Sequence, residues 1–148
     1  MNGDLHREYA RQRLLFFVAQ DVDDEIAAAV KQTVHDLAAA TWLLAPPVFV
    51  DRVDDARSTS VDTEDRTVGG ALEILGTAAN TLPKDLDAAT FADVDRVVQA
   101  VRALSAQWSL EVEFELDGAC VGAIEDGVLD RSLAEGLLGE WRRHLERA

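Results

Sequence analysis

Histidine and cysteine, the side chains that most often bind zinc or act as nucleophiles, are sparse in this sequence. The three histidines, His6, His35 and His144, are far apart, and none stands near the single cysteine, Cys120. No His-x-x-x-His or paired-cysteine spacing occurs, so a zinc site would require distant segments to meet. We therefore predict no metal site and no cofactor.

Sequence motifs of nucleophilic and phosphate chemistry are missing as well. The chain has no Gly-x-Ser-x-Gly elbow, no Gly-x-Gly-x-x-Gly and no Gly-x-x-x-x-Gly-Lys. Cys120 stands on a predicted strand beside glutamates rather than beside a base. We accordingly predict no catalytic residues and a protein that is not an enzyme.

Carboxylates, in contrast, are abundant, because 28 acidic against 14 basic residues give a net charge of −14. Asp21, Asp23 and Asp24 precede a predicted helix, where capping explains them better than calcium binding does, since the Asp-x-Asp-x-Asp-Gly loop is missing. A different set alternates with apolar residues, so its side chains project from one strand face about 7 Å apart. This set is Glu111, Glu113 and Glu115.

The glutamate row has two interpretations, a solvated sheet face and a docking surface for a basic protein. Under the second, the candidate partner-binding residues are Glu111, Glu113, Glu115, Glu125 and Asp126, the last two at the rim. A strongly acidic protein repels phosphate backbones, which argues against nucleic acid as a partner. Acidity that serves only solubility is the competing explanation.

Hydrophobic periodicity predicts the elements that position these residues. In chain order they are a strand at 14–19, a helix from about Ile26 to Thr41, strands at 48–53 and 67–75, a helix from Thr90 to Trp108, a hairpin around Asp117-Gly118, and a last helix capped by Asp130 or Ser132. The pattern Thr90-Phe91-Ala92-Asp93 predicts a capping box, and Gly69-Gly70 a bulge.

The order β-α-β-β-α-β-β-α predicts an α+β fold with a mainly antiparallel sheet and helices packed on one face. Its first six elements match the ferredoxin-like βαββαβ order, with a hairpin strand and a C-terminal helix appended. A two-residue hairpin loop pairs Leu116 with Ala119, Phe114 with Val121 and Val112 with Ala123. On the other face, the glutamates then have Cys120, Gly122 and Ile124 as neighbours.

Length and composition predict one domain in a reducing compartment. We expect residues 1–13 to form an N-terminal arm and residues 14–148 a single α+β domain. The acidic start predicts no signal peptide, and no apolar run approaches the roughly 20 residues of a membrane span. Together with the lone cysteine, these features predict a cytoplasmic protein that does not enter a membrane.

One C-terminal segment resembles a known class of proteins. It runs Glu115-Leu116-Asp117-Gly118, then Val121-Gly122-Ala123-Ile124-Glu125-Asp126-Gly127, then Leu133-x-x-Gly136-Leu137-Leu138-Gly139-Glu140-Trp141. This segment resembles the C-terminal part of small bacterial proteins assigned as immunity proteins of polymorphic toxin systems. The resemblance implies a cytosolic protein that neutralises a toxin by binding it, and it implies no role for any particular residue.

Three hypotheses of function follow. The leading one is a non-catalytic acidic binding protein, most concretely an immunity-type inhibitor of a basic toxin. The second is a small-molecule-binding or enzymatic ferredoxin-like domain with a pocket between sheet and helices. The third is a self-associating structural protein, whose homodimer seam would include exposed apolar residues such as Ile124 or Trp42.

Overall fold

The structure, a computed structural model, describes residues 10–54, 65–76 and 83–147. The elements in these ranges are β1 (Arg11–Val18), α1 (Asp24–Ala38), β2 (Val48–Asp54), β3 (Asp65–Leu75), α2 (Lys84–Trp108), β4 (Glu111–Leu116), β5 (Ala119–Glu125), β6 (Val128–Leu129), the π-helix π1 (Ser132–Gly139) and α3 (Glu140–Arg147). The predicted α+β class is confirmed. Residues 11–13, predicted to be part of the arm, belong to β1, while residues 1–9 lie outside the described residues.

All pairings in the sheet are antiparallel, and the strand order is β2-β3-β1-β4-β5-β6. Since β1 and β2 both pair with β3, they run parallel to each other with β3 between them. In the same way β3 and β4 run parallel with β1 between them. These two split β-α-β units reproduce the predicted ferredoxin-like order. β5 extends the sheet as predicted, and the short β6 is an addition that the sequence did not indicate.

The core lies between the sheet and the helices α1, α2 and π1, which all cover the same sheet face. Alternation along the strands decides which residues enter it. Leu14 and Phe16 of β1 are buried there with Phe114 of β4, and the two phenylalanine rings lie 6.0 Å apart. Leu15 and Phe17 point to the opposite side of the sheet, which we call the open face. Both are half-buried.

The bulge in the sheet lies in β5 and not at Gly69-Gly70, where β3 keeps its register with both neighbours. The β4–β5 register shifts at Val121, so Phe114 opposes Gly122 instead of Val121. Gly122 has φ +148, and a Cβ there would lie 2.6 Å from the Cβ of Leu133 in π1. The predicted hairpin register is therefore wrong beyond the bulge, because the close approach of π1 needs an extra residue and a glycine there.

The corrected register changes which residues face the core. Val112 opposes Ile124, not Ala123, and Ile124 is 0% exposed. Ile124 therefore cannot contribute to a homodimer seam. Trp42 is half-buried as well, with its indole N–H donating to the Leu37 carbonyl at 2.9 Å. Both residues proposed for the seam are used inside the fold.

Helix α2 begins at Lys84, directly after Pro83, so the capping box predicted at Thr90 is wrong. Thr90 and Asp93 both lie inside the helix and are buried. The Thr90 hydroxyl donates to the Leu86 carbonyl at 2.8 Å, a bond within the helix. The four-residue pattern that elsewhere begins a helix therefore lies in the interior of α2.

The predicted caps of the other two helices are confirmed. Asp23 accepts the Ile26 N–H at 2.8 Å at the start of α1. Asp130 accepts the Leu133 N–H at 2.9 Å with one carboxylate oxygen and the Ala123 N–H at 3.1 Å with the other. One carboxylate thus joins the beginning of π1 to β5.

A candidate docking face on the sheet

Strand β4 places Glu111, Glu113 and Glu115 on the open face, as the alternation predicted, and all three are half-buried. β4 lies inside the sheet, hydrogen-bonded to β1 on one side and to β5 on the other. The backbone that carries the glutamates is therefore held from both sides. The row is a rigid feature and not a flexible acidic loop.

The neighbours of the glutamate row differ on its two sides. On the β1 side, Leu15 lies opposite Glu115 and Phe17 opposite Glu113. On the β5 side the opposing residues are Cys120 for Glu115, Ala123 for Glu113 and Glu125 for Glu111. Cys120 was the predicted neighbour, whereas Gly122 and Ile124 were not confirmed because the bulge turns them to the core. An acidic row thus lies between an apolar row and mostly small side chains.

The two predicted rim residues lie at the Glu111 end of the row. Glu125 pairs directly with Glu111, which places the two Cβ atoms about 5 Å apart. Asp126 follows in a turn with φ +51, and its N–H donates to the Leu110 carbonyl at 3.1 Å. Glu125 and Asp126 are exposed. The structure therefore gathers all five predicted partner-binding residues on one face and its rim.

No carboxylate of this group has an ion-pair partner among the described residues. Like charges directly opposite each other, as at Glu111 and Glu125, lower stability. Arg13 of β1, two residues before Leu15, lies diagonally from Glu115 on the same face, but no ion pair joins the two side chains. The face therefore carries a negative charge that the described part of the fold leaves uncompensated.

Two arginines in other parts of the sheet pair with carboxylates outside the glutamate row. Arg66 contacts Asp51 at 2.9 Å and Asp24 at 3.1 Å, joining the edge of the sheet to α1. The hydrogen bond from Arg66 holds the pKa of Asp51 below its usual value. Arg11 contacts Glu73 at 2.8 Å on the open face of β1 and β3. These pairs join structural elements, whereas the β4–β5 carboxylates have no such pair among the described residues.

Two buried carboxylates escaped the sequence analysis, and both act as structural tethers. Asp93 accepts the Leu43 N–H at 3.0 Å and lies 3.9 Å from Arg96, so it holds the segment after α1 against α2. Burial raises the pKa of Asp93. Both residues are aspartates at helix positions that face the core, and this placement is the signal that could have identified them. For Asp93 the capping-box interpretation assigned the residue to the start of the helix instead.

The second tether is Asp87, which fastens α3 to α2. It accepts the Trp141 indole N–H at 2.8 Å, and its other oxygen lies 3.7 Å from Nε2 of the exposed His144. The Trp141 ring also packs edge-on against Phe91, with centroids 5.4 Å apart. Both contacts of Asp87 join α3 to α2, so we assign them to packing.

Other kinds of site find little support in the described part of the chain. No group of three or more His, Cys, Asp or Glu side chains there could hold a metal ion. A shallow depression on π1 is lined by arginines and glutamates that pair with each other, Arg131 with Glu135 at 3.2 Å and Arg143 with Glu140 at 2.8 Å. Among the described helices, none has the length and apolar character needed to cross a membrane.

Comparison with protein-family models, with curated proteins and with solved structures finds no match for this chain. The resemblance of the C-terminal segment to immunity proteins therefore stays a prediction.

Proposed function

We propose that this protein is a non-catalytic, cytoplasmic binding protein whose partner is a basic protein, and that it serves as an immunity-type inhibitor of a basic toxin. One observation carries the proposal. Five carboxylates, Glu111, Glu113, Glu115, Glu125 and Asp126, share one sheet face and its rim and have no ion-pair partner among the described residues.

The physical advantage of such a face is fast and selective association. A net charge of −14 attracts a cationic partner over distances of about the Debye length, near 8 Å at physiological salt. A local row of fixed carboxylates then orients the partner as it docks. Because β4 is held by two neighbouring strands, little backbone freedom is lost on binding, which favours affinity.

Acidity that serves only solubility predicts a different behaviour from a docking face. In that case the effect of a charge change depends on its sign and number but not on its position. A docking face makes position decisive. The experiment therefore compares two variants of equal charge, one altered on the face and one altered elsewhere.

The face variant carries Glu111→Lys, Glu113→Lys and Glu115→Lys. The control variant carries Glu25→Lys, Asp85→Lys and Glu146→Lys, three exposed positions on helices. Each change adds two charges, so both variants move the net charge from −14 to −8. Circular dichroism and thermal melting confirm that both variants fold.

The probe is the toxin domain that the proposal expects a neighbouring gene to encode, and the measurement is the dissociation constant of its complex with this protein by isothermal titration calorimetry. We expect the face variant to weaken binding by about 100-fold or more and the control by only a few-fold. Protection of cells that express the toxin domain should fail with the face variant and persist with the control. Equal weakening by the two variants would contradict the proposed site, and no complex with the wild-type protein would contradict the proposed function.

A further inference from the structure

We infer that the partner segment seated on this face is an amphipathic cationic helix, with apolar residues on the β1 row and Lys or Arg on the β4 row. The inference rests on the proposed function and narrows it to one kind of partner surface. It follows from the juxtaposition of Leu15 and Phe17 with Glu115 and Glu113, which strand pairing alone establishes.

The two rows run side by side along neighbouring strands. Leu15 is directly opposite Glu115 and Phe17 directly opposite Glu113, so the rows lie about 5 Å apart. Within each row the side chains repeat about every 7 Å. The two rows lie far apart in the sequence, so no local sequence pattern indicates that they are neighbours.

Accessible surface on the open face is interrupted beside the two rows, although Val48 at its β2 edge is 59% exposed. On the β3 side of the rows, Ala71 opposes Leu15 and Gly69 opposes Phe17, and both are buried. Leu15, Phe17 and the glutamates of β4 are half-buried and so keep exposed surface. A partner seated over β1 and β4 therefore meets the apolar row and the acidic row together.

Charge alone does not account for a stable contact here. Exposed ion pairs contribute little because water screens them and long side chains lose freedom. Burial of the apolar row adds a hydrophobic contribution, and it also removes water from beside the carboxylates, which strengthens their attraction to cations. A partner with both stripes gains from both effects.

A helix matches this spacing better than an extended segment. Residues four apart on a helix form a stripe that repeats about every 6 Å along the helix axis, close to the 7 Å repeat of the rows. Two such stripes can lie next to each other on the helix surface, so one helix face can carry both the apolar and the basic residues. Alternate side chains of a strand point to opposite sides, so a strand would bring only one stripe to the face. The inferred occupant is therefore helical, with its axis along the strands.

Two synthetic peptides of the same length and composition test the inference. Both contain Leu, Lys and Ala, but one segregates Leu and Lys into adjacent helical stripes and the other has them scrambled. Affinity for the wild-type protein is measured by fluorescence anisotropy at physiological salt. We expect the segregated peptide to bind at least about tenfold more tightly.

Protein variants then locate the contact. Leu15→Thr with Phe17→Thr keeps side chains that suit a strand while removing the apolar row. We expect this variant to lose the preference for the segregated peptide and to bind the scrambled one as before. The matched control is Val128→Thr, at an apolar residue of β6 that is 68% exposed, and it should keep the preference.

Cys120 allows a second measurement on the wild-type sequence, which guards against a variant that folds poorly. It is the only cysteine, is exposed, and opposes Glu115 on the same face. A fluorophore attached there should respond to the segregated peptide at concentrations where the scrambled one has no effect.

The outcomes separate the inference from the function on which it rests. Equal affinities for the two peptides, or a preference that survives the double threonine variant, would overturn the amphipathic-helix inference. Failure of the wild-type protein to bind either peptide would overturn it too. None of these results decides the proposed function, which the toxin-domain experiment tests by itself.

Discussion

Replacement of Asp130 tests how the C-terminal helix is attached to the sheet. The Asp130 carboxylate accepts two N–H groups from different elements, Leu133 at 2.9 Å in π1 and Ala123 at 3.1 Å in β5. Asp130→Ala removes both acceptors and leaves two backbone donors to find water. Asp130→Asn keeps one oxygen acceptor and so can retain only one of the two bonds.

The expected loss of stability follows from these two bonds. Loss of a helix N-cap costs about 0.5–2 kcal/mol. The bond to Ala123 is solvent-exposed, so its loss adds roughly 0.5–1 kcal/mol, the lower part of the usual range. We expect Asp130→Ala to lower the free energy of unfolding by about 2 kcal/mol and Asp130→Asn by about half as much.

Urea denaturation at neutral pH measures the total effect, and amide hydrogen exchange locates it. In Asp130→Ala, exchange should accelerate at Leu133 and Ala123 more than in the distant strands β2 and β3. Asp36→Ala is the matched control, because Asp36 accepts only one exposed side-chain bond, from Gln32 at 2.8 Å. A loss below about 0.5 kcal/mol for Asp130→Ala would refute the reasoning. So would exchange that accelerates uniformly over the domain.

Three further changes test other parts of the fold. Because burial raises the folded-state pKa of Asp93, its contribution to the free energy of unfolding is lost as pH rises from about 4 through that pKa. In urea denaturation the stability of Asp93→Asn relative to the wild type should therefore increase over this window, and a constant difference at all pH values would contradict this. Gly69→Ala places a Cβ 1.8 Å from the Phe16 carbonyl oxygen. We expect the free energy of unfolding to fall by about 3 kcal/mol or more, and a melting temperature close to that of the wild type would exclude the steric argument. Glu125→Lys removes the repulsion between residue 125 and Glu111 and should raise the free energy of unfolding by about 0.2–1 kcal/mol. This gain should become smaller in 1 M salt, where the Debye length is about 3 Å. A gain that does not depend on salt would point to another cause.

Patterns that depend on neighbours in the chain were predicted well. The alternation of β4 placed its three glutamates on one face, and Asp117-Gly118 forms the predicted hairpin turn with φ +50 and +85. The caps at Asp23 and Asp130 were also predicted. In each case the physical cause acts over a few residues, through strand pleat, turn conformation or a side chain that reaches the adjacent backbone.

Local patterns failed where a distant contact competed with them. Thr90 and Asp93 match a capping box, but the helix continues through them, because Pro83 can begin it earlier and Asp93 is used to bind the Leu43 N–H. Gly122 gave no sign of a bulge, since the bulge depends on Leu133 of π1 approaching its backbone. Short-range spacing carries no information about such approaches.

By itself, the sequence determined the order of all elements except β6, the acidic composition and the side of β4 on which the glutamates lie, because these depend on composition and on the hydrophobic periods of helix and strand. Tertiary structure alone decided the register of β1 against β4, which sets Leu15 against Glu115 and Phe17 against Glu113. It also decided that Glu125 faces Glu111 and that Ile124 is buried. These outcomes depend on strand order and register, which follow from how the whole core packs and not from any one segment.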